Sequence, residues 1–528
     1  MSFESEIIKR RTFAIISHPD AGKTTLTEKF LLYGGAINQA GSVKARKAAK
    51  HAVSDWMEIE KQRGISVTSS VMQFFYDGYC INILDTPGHQ DFSEDTYRTL
   101  MAADSAVMVI DASKGVEAQT IKLFKVCTMR HIPIFTFINK MDREANDPFE
   151  LMDDIESVLG IRTCPVNWPI GSGKSFKGVY DRTTNHITTF TAAEAGAKEV
   201  AYQEVELDYA QDLLDDLAYE KLQEDIELLD GACDPFDQER VSRGELSPVF
   251  FGSALTNFGV ENFLQHFLQM TTSPLPRLSD EGIVDPMEEE DFSAFVFKIQ
   301  ANMNKAHRDR IAFMRICSGK YVPGMEVNHV QGGRKIKLAQ SQQLMAQERK
   351  IVEEAYAGDI IGVFDPGIFA IGDTICAPNR KFAFEGIPTF APEHFARVRQ
   401  IDTMKRKQFV KGINQIALEG AIQIFQEFNT GMEEIIVGVV GVLQFDVLQF
   451  RLRSEYNVEI RLDQLPYEHI RWIENAEEVD VNTISGTSDM KKIKDLKGNP
   501  LLLFVNSWSV GMVQERNPKL RLSEFGRD

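Results

Sequence analysis

The chain has 528 residues, of which 43% are hydrophobic and 26% are charged, a composition typical of soluble globular proteins with ample core-forming material. Its formal net charge of −19 argues against broad, non-specific binding to nucleic acid. No apolar run reaches the roughly 18 residues of a membrane span, and the N-terminus lacks the pattern of a secretory signal. The six cysteines are scattered without a Cys-x-x-Cys pair, which favours a reducing, cytoplasmic compartment.

Residues 12–142 alternate short apolar strands with helical stretches. Nearly continuous apolar strands are typical of a parallel sheet that is covered on both faces, so this region predicts a doubly wound α/β domain. Ligands of such domains bind at the carboxyl ends of the strands. The predicted strands are 13–16, 80–84, 106–110 and 132–138, and the predicted helices are 24–32, 92–101 and 116–130.

A phosphate-binding loop is predicted directly after the first strand. Gly22 lets the backbone approach a phosphate, and the N–H groups at the start of the next helix attract the anion. Lys23 can reach the outer phosphates, and the Thr24 hydroxyl can hold Mg²⁺. Ser17 stands where the usual pattern has its first glycine, and the alternative reading is a plain strand–helix corner. The complete loop is Ser17, His18, Pro19, Asp20, Ala21, Gly22, Lys23 and Thr24.

Three further polar segments follow predicted strands. After strand 80–84, Asp85 can hold the Mg²⁺ shell and Gly88 can offer its N–H to a terminal phosphate. After strand 132–138, the Asp142 carboxylate can accept the two donors that guanine has and adenine lacks. In this order the segments predict a site for GTP or GDP with Mg²⁺. They are Asp85, Thr86, Pro87, Gly88 and His89; Asn139, Lys140, Met141 and Asp142; and Ser253, Ala254 and Leu255.

Residues 18–25, 60–66, 85–89 and 139–142 resemble those of the translational GTPases, the elongation-factor family that acts on ribosomes. Residues 54–58, 91–100 and 441–447 are similar to the class-2 peptide chain release factors within that family. The resemblance covers the whole chain. It implies a ribosome-dependent GTPase of translation termination that stimulates the release and recycling of class-1 release factors. We therefore expect ribosomal RNA and stalk proteins as partners, a monomer, and no binding to DNA or membranes.

The resemblance also assigns roles to two side chains outside the phosphate loop. His89 is expected to orient the attacking water, and Ser66 to bind Mg²⁺ where most of the family has threonine. Nearby Thr68 is an alternative Mg²⁺ ligand. From the residues alone, an imidazole beside a terminal phosphate can position water by hydrogen bonding, and the alternative is a histidine that caps the following helix.

An acidic insert at about 160–245 lies between the predicted base-binding segments. Residues 194–230 hold 13 acidic and 2 basic residues, a net charge of −11. Apolar residues recur at helical spacing over 207–229, which predicts one amphipathic acidic helix. Its acidic face is either solvated or, as the resemblance suggests, a surface for a ribosomal stalk protein. Residues 171–175 imitate a second phosphate loop, but Trp168 holds the position of the first glycine and no clear apolar strand leads in, so they predict a hairpin turn.

The rest of the chain predicts two more domains. We expect a GTP-binding domain over 1–273, an antiparallel β-barrel over 283–382 and an α+β domain over 388–528, separated by Pro-containing linkers. The basic clusters at 44–50 and 305–310 either contact ribosomal RNA or form a solvated surface, and the sequence leaves both alternatives open. The resemblance implies that a translocase would have further domains, so the three-domain length counts against the alternative of an elongation-type or ribosome-protection factor.

Overall fold

The computed structural model describes residues 3–36, 68–190, 202–301, 310–338, 341–345, 348–387, 391–428 and 434–523. Ser66 and the basic cluster at 44–50 lie outside these residues, as do Lys305, His307 and Arg308 of the second basic cluster. Within the described part of the chain, no helix combines the length and the apolar character that crossing a membrane demands.

The first domain is built on a seven-stranded sheet with the strand order β2-β3-β1-β4-β5-β11-β6. All neighbouring pairs are parallel except β2 and β3, which form an antiparallel hairpin. Both faces are buried, because successive residues of β1 enter opposite cores, Phe13 and Ile15 on one side and Ala14 and Ile16 on the other. The strands are β1 (Arg10–Ser17), β2 (Ser70–Tyr76), β3 (Tyr79–Asp85), β4 (Ser105–Asp111), β5 (Ile134–Asn139), β6 (Arg162–Pro165) and β11 (Leu246–Phe251).

Helices cover both faces of this sheet. Phe30 of α2 packs with Phe263 of α8 in one core, whereas Leu123 of α4 and Leu151 of α5 belong to the opposite core. The predicted doubly wound α/β domain is therefore confirmed. The helices are α1 (Phe3–Ile8), α2 (Lys23–Tyr33), α3 (Ser93–Leu100), α4 (Ala118–Met129), α5 (Pro148–Leu159), α6 (Asp216–Ala232), α7 (Gln238–Ser242) and α8 (Val260–Met270).

The insert carries its own four-stranded antiparallel sheet, with β7 (Asn167–Ile170), β8 (Gly178–Asp181), β9 (His186–Phe190) and β10 (Tyr202–Glu206). The turn between β7 and β8 contains the second glycine-rich segment, which confirms the predicted hairpin. The prediction of one acidic helix over 207–229 is wrong. A short 3₁₀ helix, Leu207–Asp212, ends before α6, because the Asp215 carboxylate accepts the Ala218 N–H and starts a new helix there.

The second domain is the predicted antiparallel β-structure, with the strand order β18-β17-β23-β14-β15-β22-β19-β20. Its interior is a separate apolar cluster that includes Val296, Met314 and Ile361. A hairpin of β12 (Arg277–Ser279) and β13 (Gly282–Val284) precedes it. The strands are β14 (Ser293–Ala301), β15 (Arg310–Ser318), β16 (Lys320–Tyr321), β17 (Glu326–His329), β18 (Arg334–Lys337), β19 (Ser341–Met345), β20 (Glu348–Ile351), β21 (Ala355–Tyr356), β22 (Ile360–Phe364) and β23 (Thr374–Cys376).

The C-terminal domain is the predicted mixture of helices and strands. Its eight-stranded sheet has the order β27-β24-β26-β25-β29-β30-β28-β31. The exact limits of the three domains stay predictions. The elements are β24 (His394–Gln400), α9 (Arg406–Leu418), β25 (Gln423–Glu427), β26 (Ile435–Val439), α10 (Leu443–Tyr456), β27 (Ile460–Leu465), β28 (His469–Ile473), β29 (Lys491–Asp495), β30 (Pro500–Phe504), α11 (Ser507–Arg516) and β31 (Leu522–Ser523).

Candidate functional site

The loop from Ser17 to Thr24 joins the end of β1 to the start of α2. Gly22 has φ 101°, and a Cβ added to it would overlap the Asn139 amide, so glycine is required both by the backbone and by the close approach. Asp20 is also left-handed, with φ 68°. Ser17 is buried as the last residue of β1, and its Oγ donates to the His18 carbonyl at 2.9 Å. Serine therefore fits the position of the usual first glycine.

Lys23, the first residue of α2, meets Asp85 at the carboxyl end of β3. The Lys23 ammonium forms an ion pair and a hydrogen bond with Asp85 Oδ1, and both side chains are buried. Thr86 Oγ1 donates to the Ile15 carbonyl at 2.7 Å, which fastens the segment after β3 to β1. The partly exposed Thr24 lies in the first turn of α2, whose first N–H groups have no partner within the helix.

Asn139 connects three of the predicted segments. Its Nδ2 donates to the Ala21 carbonyl at 2.8 Å, and its Oδ1 accepts the N–H groups of Lys140 at 2.9 Å and Ala254 at 2.8 Å. This buried amide therefore holds the phosphate loop, the segment after β5 and the segment after β11 in one place.

Asp142 is held by the third of these segments. Ser253 Oγ donates to Asp142 Oδ1 at 2.6 Å. Met141 is buried and its N–H bonds the Gly252 carbonyl at 3.1 Å, whereas Leu255 is partly exposed in the turn that follows. The predicted base-binding residues thus lie together at the ends of β5 and β11.

Asp111 belongs to this site although no sequence motif includes it. Lys140 has φ 75°, and its ammonium reaches both the Asp20 carbonyl and Asp111 Oδ2. Burial tends to raise the pKa of Asp111, but hydrogen bonds from Lys140 and Ser113 outweigh it and lower this pKa. The available signal was its position, since Asp111 directly follows the predicted strand 106–110.

His89 lies beside the phosphate loop and faces Asp91. Its Nδ1 is 3.2 Å from the Asp91 backbone nitrogen and 3.3 Å from Asp91 Oδ1, and the ring is about one-third exposed, 32%. The preceding Gly88 borders Pro19, since a Cβ on Gly88 would lie 3.6 Å from Pro19 Cα. The Pro87 carbonyl accepts a hydrogen bond from the Thr96 hydroxyl at 3.3 Å, which fastens this segment to α3. His18 is turned to Glu117, with Nε2 3.4 Å from Oε1.

The structure describes only some of the residues that are expected to bind Mg²⁺. Thr24 and Asp85 offer the oxygen atoms that Mg²⁺ prefers, and a nucleotide-bound Mg²⁺ needs few protein ligands. Among the described residues, no group of three or more His, Cys, Asp or Glu side chains is arranged as a metal site. Ser66 lies outside these residues. Thr68 lines a cavity with Phe92 and Lys298, between the first domain, the barrel and the C-terminal domain.

Comparison with known proteins agrees with this geometry. The family "Elongation factor Tu GTP binding domain" matches residues 8–273, and "Class II release factor RF3, C-terminal domain" matches residues 384–514. "Peptide chain release factor 3" of Symbiobacterium thermophilum is 61% identical over 98% of both chains. The chain belongs to the peptide chain release factor 3 family. It is a GTPase of translation termination, as the sequence resemblance implied, and GTP and GDP are its nucleotides.

Further members of the release factor 3 family are similar over equally long stretches. "Peptide chain release factor 3" of Gloeobacter violaceus is 54% identical over 99% of this chain and 98% of its own. "Elongation factor G domain 2" matches residues 291–378, in the barrel. A solved structure from Thermus thermophilus has a TM-score of 0.70 and 21% identity and covers 92% of this chain and 72% of its own, which supports the fold of this family member.

Proposed function

We propose that this chain binds the terminating ribosome, hydrolyses GTP there, and promotes the release and recycling of class-1 release factors after peptide release. The observation that carries this proposal is the 61% identity to a peptide chain release factor 3 over 98% of both chains. Ribosomal RNA and stalk proteins are its partners; the protein acts as a cytoplasmic monomer and binds no DNA.

In this proposal the strand-end residues hold the nucleotide. The phosphate loop cradles the phosphates with its backbone N–H groups, and Lys23 moves its ammonium from Asp85 to the outer phosphates. Gly88 contributes its N–H to the γ-phosphate. Asp142 accepts the N1–H and amine of guanine. The contacts of Asn139 and Lys140 support this assignment, because they fasten the base-binding segment to the phosphate loop.

Mg²⁺ is the proposed cofactor, held by the Thr24 hydroxyl, the Asp85 carboxylate and the Ser66 hydroxyl. When bound, it neutralises the negative charge that develops on the β- and γ-phosphates. Asp85 is suited to this task because it is a buried carboxylate at the end of β3 that pairs with the Lys23 ammonium, which in this proposal turns to the phosphates.

His89 is the proposed catalytic residue. An imidazole can bind the attacking water through a hydrogen bond and align it with the γ-phosphate. The His89 ring is partly exposed beside the phosphate loop, and in this proposal ribosome binding completes its alignment with the nucleotide. Hydrolysis would then be slow in the free protein and fast in the ribosomal complex, and the two switch arrangements would follow the nucleotide state.

The test uses purified termination complexes that carry a labelled class-1 release factor. The native chain is expected to hydrolyse GTP over many rounds and to release the labelled factor, whereas His89→Ala binds GTP but fails in hydrolysis. Release over multiple rounds by His89→Ala at the native rate would show that hydrolysis is not the working step. Failure of the native chain to release the factor would overturn the proposal.

The acidic insert is the proposed surface for a basic stalk domain. Asp212, Asp216 and Glu220 are exposed on the 3₁₀ helix and on α6, with exposed Leu217 between them. Long-range attraction between opposite charges speeds such an encounter and is screened by salt. Charge reversal at these three acids should lower ribosome-stimulated hydrolysis at low salt. Asp215 is left unchanged because it caps α6. No loss at low salt would contradict the stalk assignment.

A further inference from the structure

Asp91 joins the proposed catalytic histidine to the C-terminal domain. Its backbone N–H points at His89 Nδ1 over 3.2 Å, and its Oδ1 lies 3.3 Å from the same nitrogen. Its other oxygen, Oδ2, accepts the N–H of Leu443 at 2.8 Å. Asp91 is 7% exposed, so these contacts form in a largely water-free place.

Both protonation states of the ring suit this arrangement. A neutral imidazole can accept the Asp91 N–H at Nδ1, and a protonated imidazole can donate from Nδ1 to the Asp91 carboxylate. In either state Asp91 occupies the Nδ1 side of His89. Nε2 carries a proton in both states, so it is the ring atom that can donate a hydrogen bond to a water, and Asp91 sets the orientation of the ring.

The C-terminal domain is shaped to receive this carboxylate. Leu443 is the first residue of α10, and a carboxylate at a helix N-terminus is favoured by the helix dipole. The backbone approaches so closely at Gly441 that a Cβ there would overlap Asp91. The turn is itself fixed, because Gln444 Oε1 accepts the N–H groups of Val440 at 2.9 Å and Gly441 at 3.0 Å.

A second contact holds the same part of the first domain without touching His89. Arg98 of α3 donates from Nη2 to the Gly420 carbonyl at 2.6 Å. Asp91 and Arg98 therefore both attach the region of α3 to the C-terminal domain, but the contacts of Asp91 also include the His89 ring. A variant at Arg98 therefore affects docking of the C-terminal domain alone, whereas a variant at Asp91 also affects the orientation of His89.

We propose that Asp91 is the positioning residue of His89, and that the first turn of α10 sets the Asp91 carboxylate, so that the C-terminal domain acts on GTP hydrolysis through this one contact. This inference rests on the proposed role of His89. Asp91 acts through the ring and not on the nucleotide, so it affects the rate of hydrolysis and leaves GTP affinity in place.

The experiment measures ribosome-stimulated kcat and KM, with GTP affinity of the free protein as a separate readout. Asp91→Ala is expected to lower kcat about tenfold or more while the affinity for GTP stays near that of the native chain. Asp91→Asn keeps an oxygen for Leu443 and a polar group for Nδ1, so it should recover much of the lost rate. Arg98→Met is the matched control, which loses a docking contact but should keep a kcat close to the native value.

A double-mutant cycle with His89→Ala separates this inference from the proposed function. If Asp91 acts by orienting His89, then Asp91→Ala lowers kcat in the native background but not in the His89→Ala background. Equal losses in both backgrounds, or an equal loss in Arg98→Met, would overturn the positioning role and leave a role in docking. Full activity of His89→Ala alone would instead overturn the role of His89 on which the inference rests.

Discussion

At the residue scale, the base-binding pair of Asp142 and Ser253 has a clear chemical role. The Ser253 hydroxyl donates to Oδ1 of Asp142 at 2.6 Å and so fixes the plane of the carboxylate. In the proposed site that carboxylate faces the two donors of guanine. Specificity of this kind is strong, because the wrong base leaves buried polar groups unpaired.

Asp142→Asn should change the preferred base. An amide offers one donor and one acceptor, which matches the N1–H and the 2-carbonyl of xanthine, so the preference for GTP over xanthosine triphosphate should fall by about 100-fold or more. Competition binding with the two triphosphates measures this change. Ser253→Ala is the control, since it keeps the carboxylate and should weaken GTP binding without favouring xanthosine. Unchanged GTP preference in D142N would show that Asp142 does not read the base.

At the element scale, the apolar strands could be predicted and the polar ones could not. The predicted strand 80–84 is observed as Tyr79–Asp85, because a buried strand of a parallel sheet is apolar on both faces. The insert strand Tyr202–Glu206 is mostly exposed and carries no such signal. Helical spacing continued through Asp215, so the break before α6 was missed, although Asp at an N-cap is a known start signal.

The candidate site could also be predicted only in part. Its segments could be predicted, because each comes directly after a strand and the carboxyl ends of parallel strands meet at one edge. The pairings of Lys23 with Asp85 and of Lys140 with Asp111 could not be predicted, because they depend on which strands are neighbours. The order β3-β1-β4-β5 decides them, and it is a property of the folded sheet.

Asp181 of the insert pairs with His266 of α8, and this pair predicts that the stability of the fold depends on pH. Burial tends to lower the pKa of His266, but the hydrogen bond and charge of Asp181 outweigh it and raise this pKa. Burial tends to raise the pKa of Asp181, but its bonds to His266, Thr183 and Asn262 lower it. The histidine therefore stabilises the fold below its ordinary pKa of about 6.5, and this stabilisation is lost as pH rises through the raised value. Asp181 stabilises the fold above about pH 4, and this stabilisation is lost as pH falls through its lowered pKa.

His266→Gln should therefore cost more stability near pH 6 than at pH 8.5. Glutamine can still bond neutral partners but carries no positive charge for Asp181. Urea unfolding of the native chain and the variant at the two pH values gives the difference. A penalty that is equal at both pH values, or larger at pH 8.5, would mean that the charge of His266 does not stabilise this link.

At the scale of the whole molecule, Asp359 fastens the barrel to the first domain. Its Oδ2 is 2.6 Å from Arg10 Nε, and its Oδ1 accepts from Gln73 at 3.2 Å and from Asn82 at 3.3 Å. The Cys80 thiol lies 3.6 Å from the same oxygen, and burial and the Asp359 charge raise the pKa of this thiol. A second buried pair, Arg315 with Asp104 at 2.6 Å, joins the same two domains.

Asp359→Ala should loosen this interface and expose Cys80. Removing Asp359 leaves the buried Arg10 guanidinium with Glu6 but without a partner at Nε, and loss of this charged hydrogen bond costs about 2 kcal/mol. Cys80 is 4% exposed between the two domains, so its alkylation rate, located by mass spectrometry, reports the opening of the interface. Asp365→Ala is the control, because that carboxylate accepts the N–H groups of Gly367 and Ile368 at 2.8 Å inside the barrel. It should destabilise the barrel without the same rise in Cys80 labelling. Equal labelling in both variants would show that Asp359 contributes to general stability and not to the attachment of the two domains.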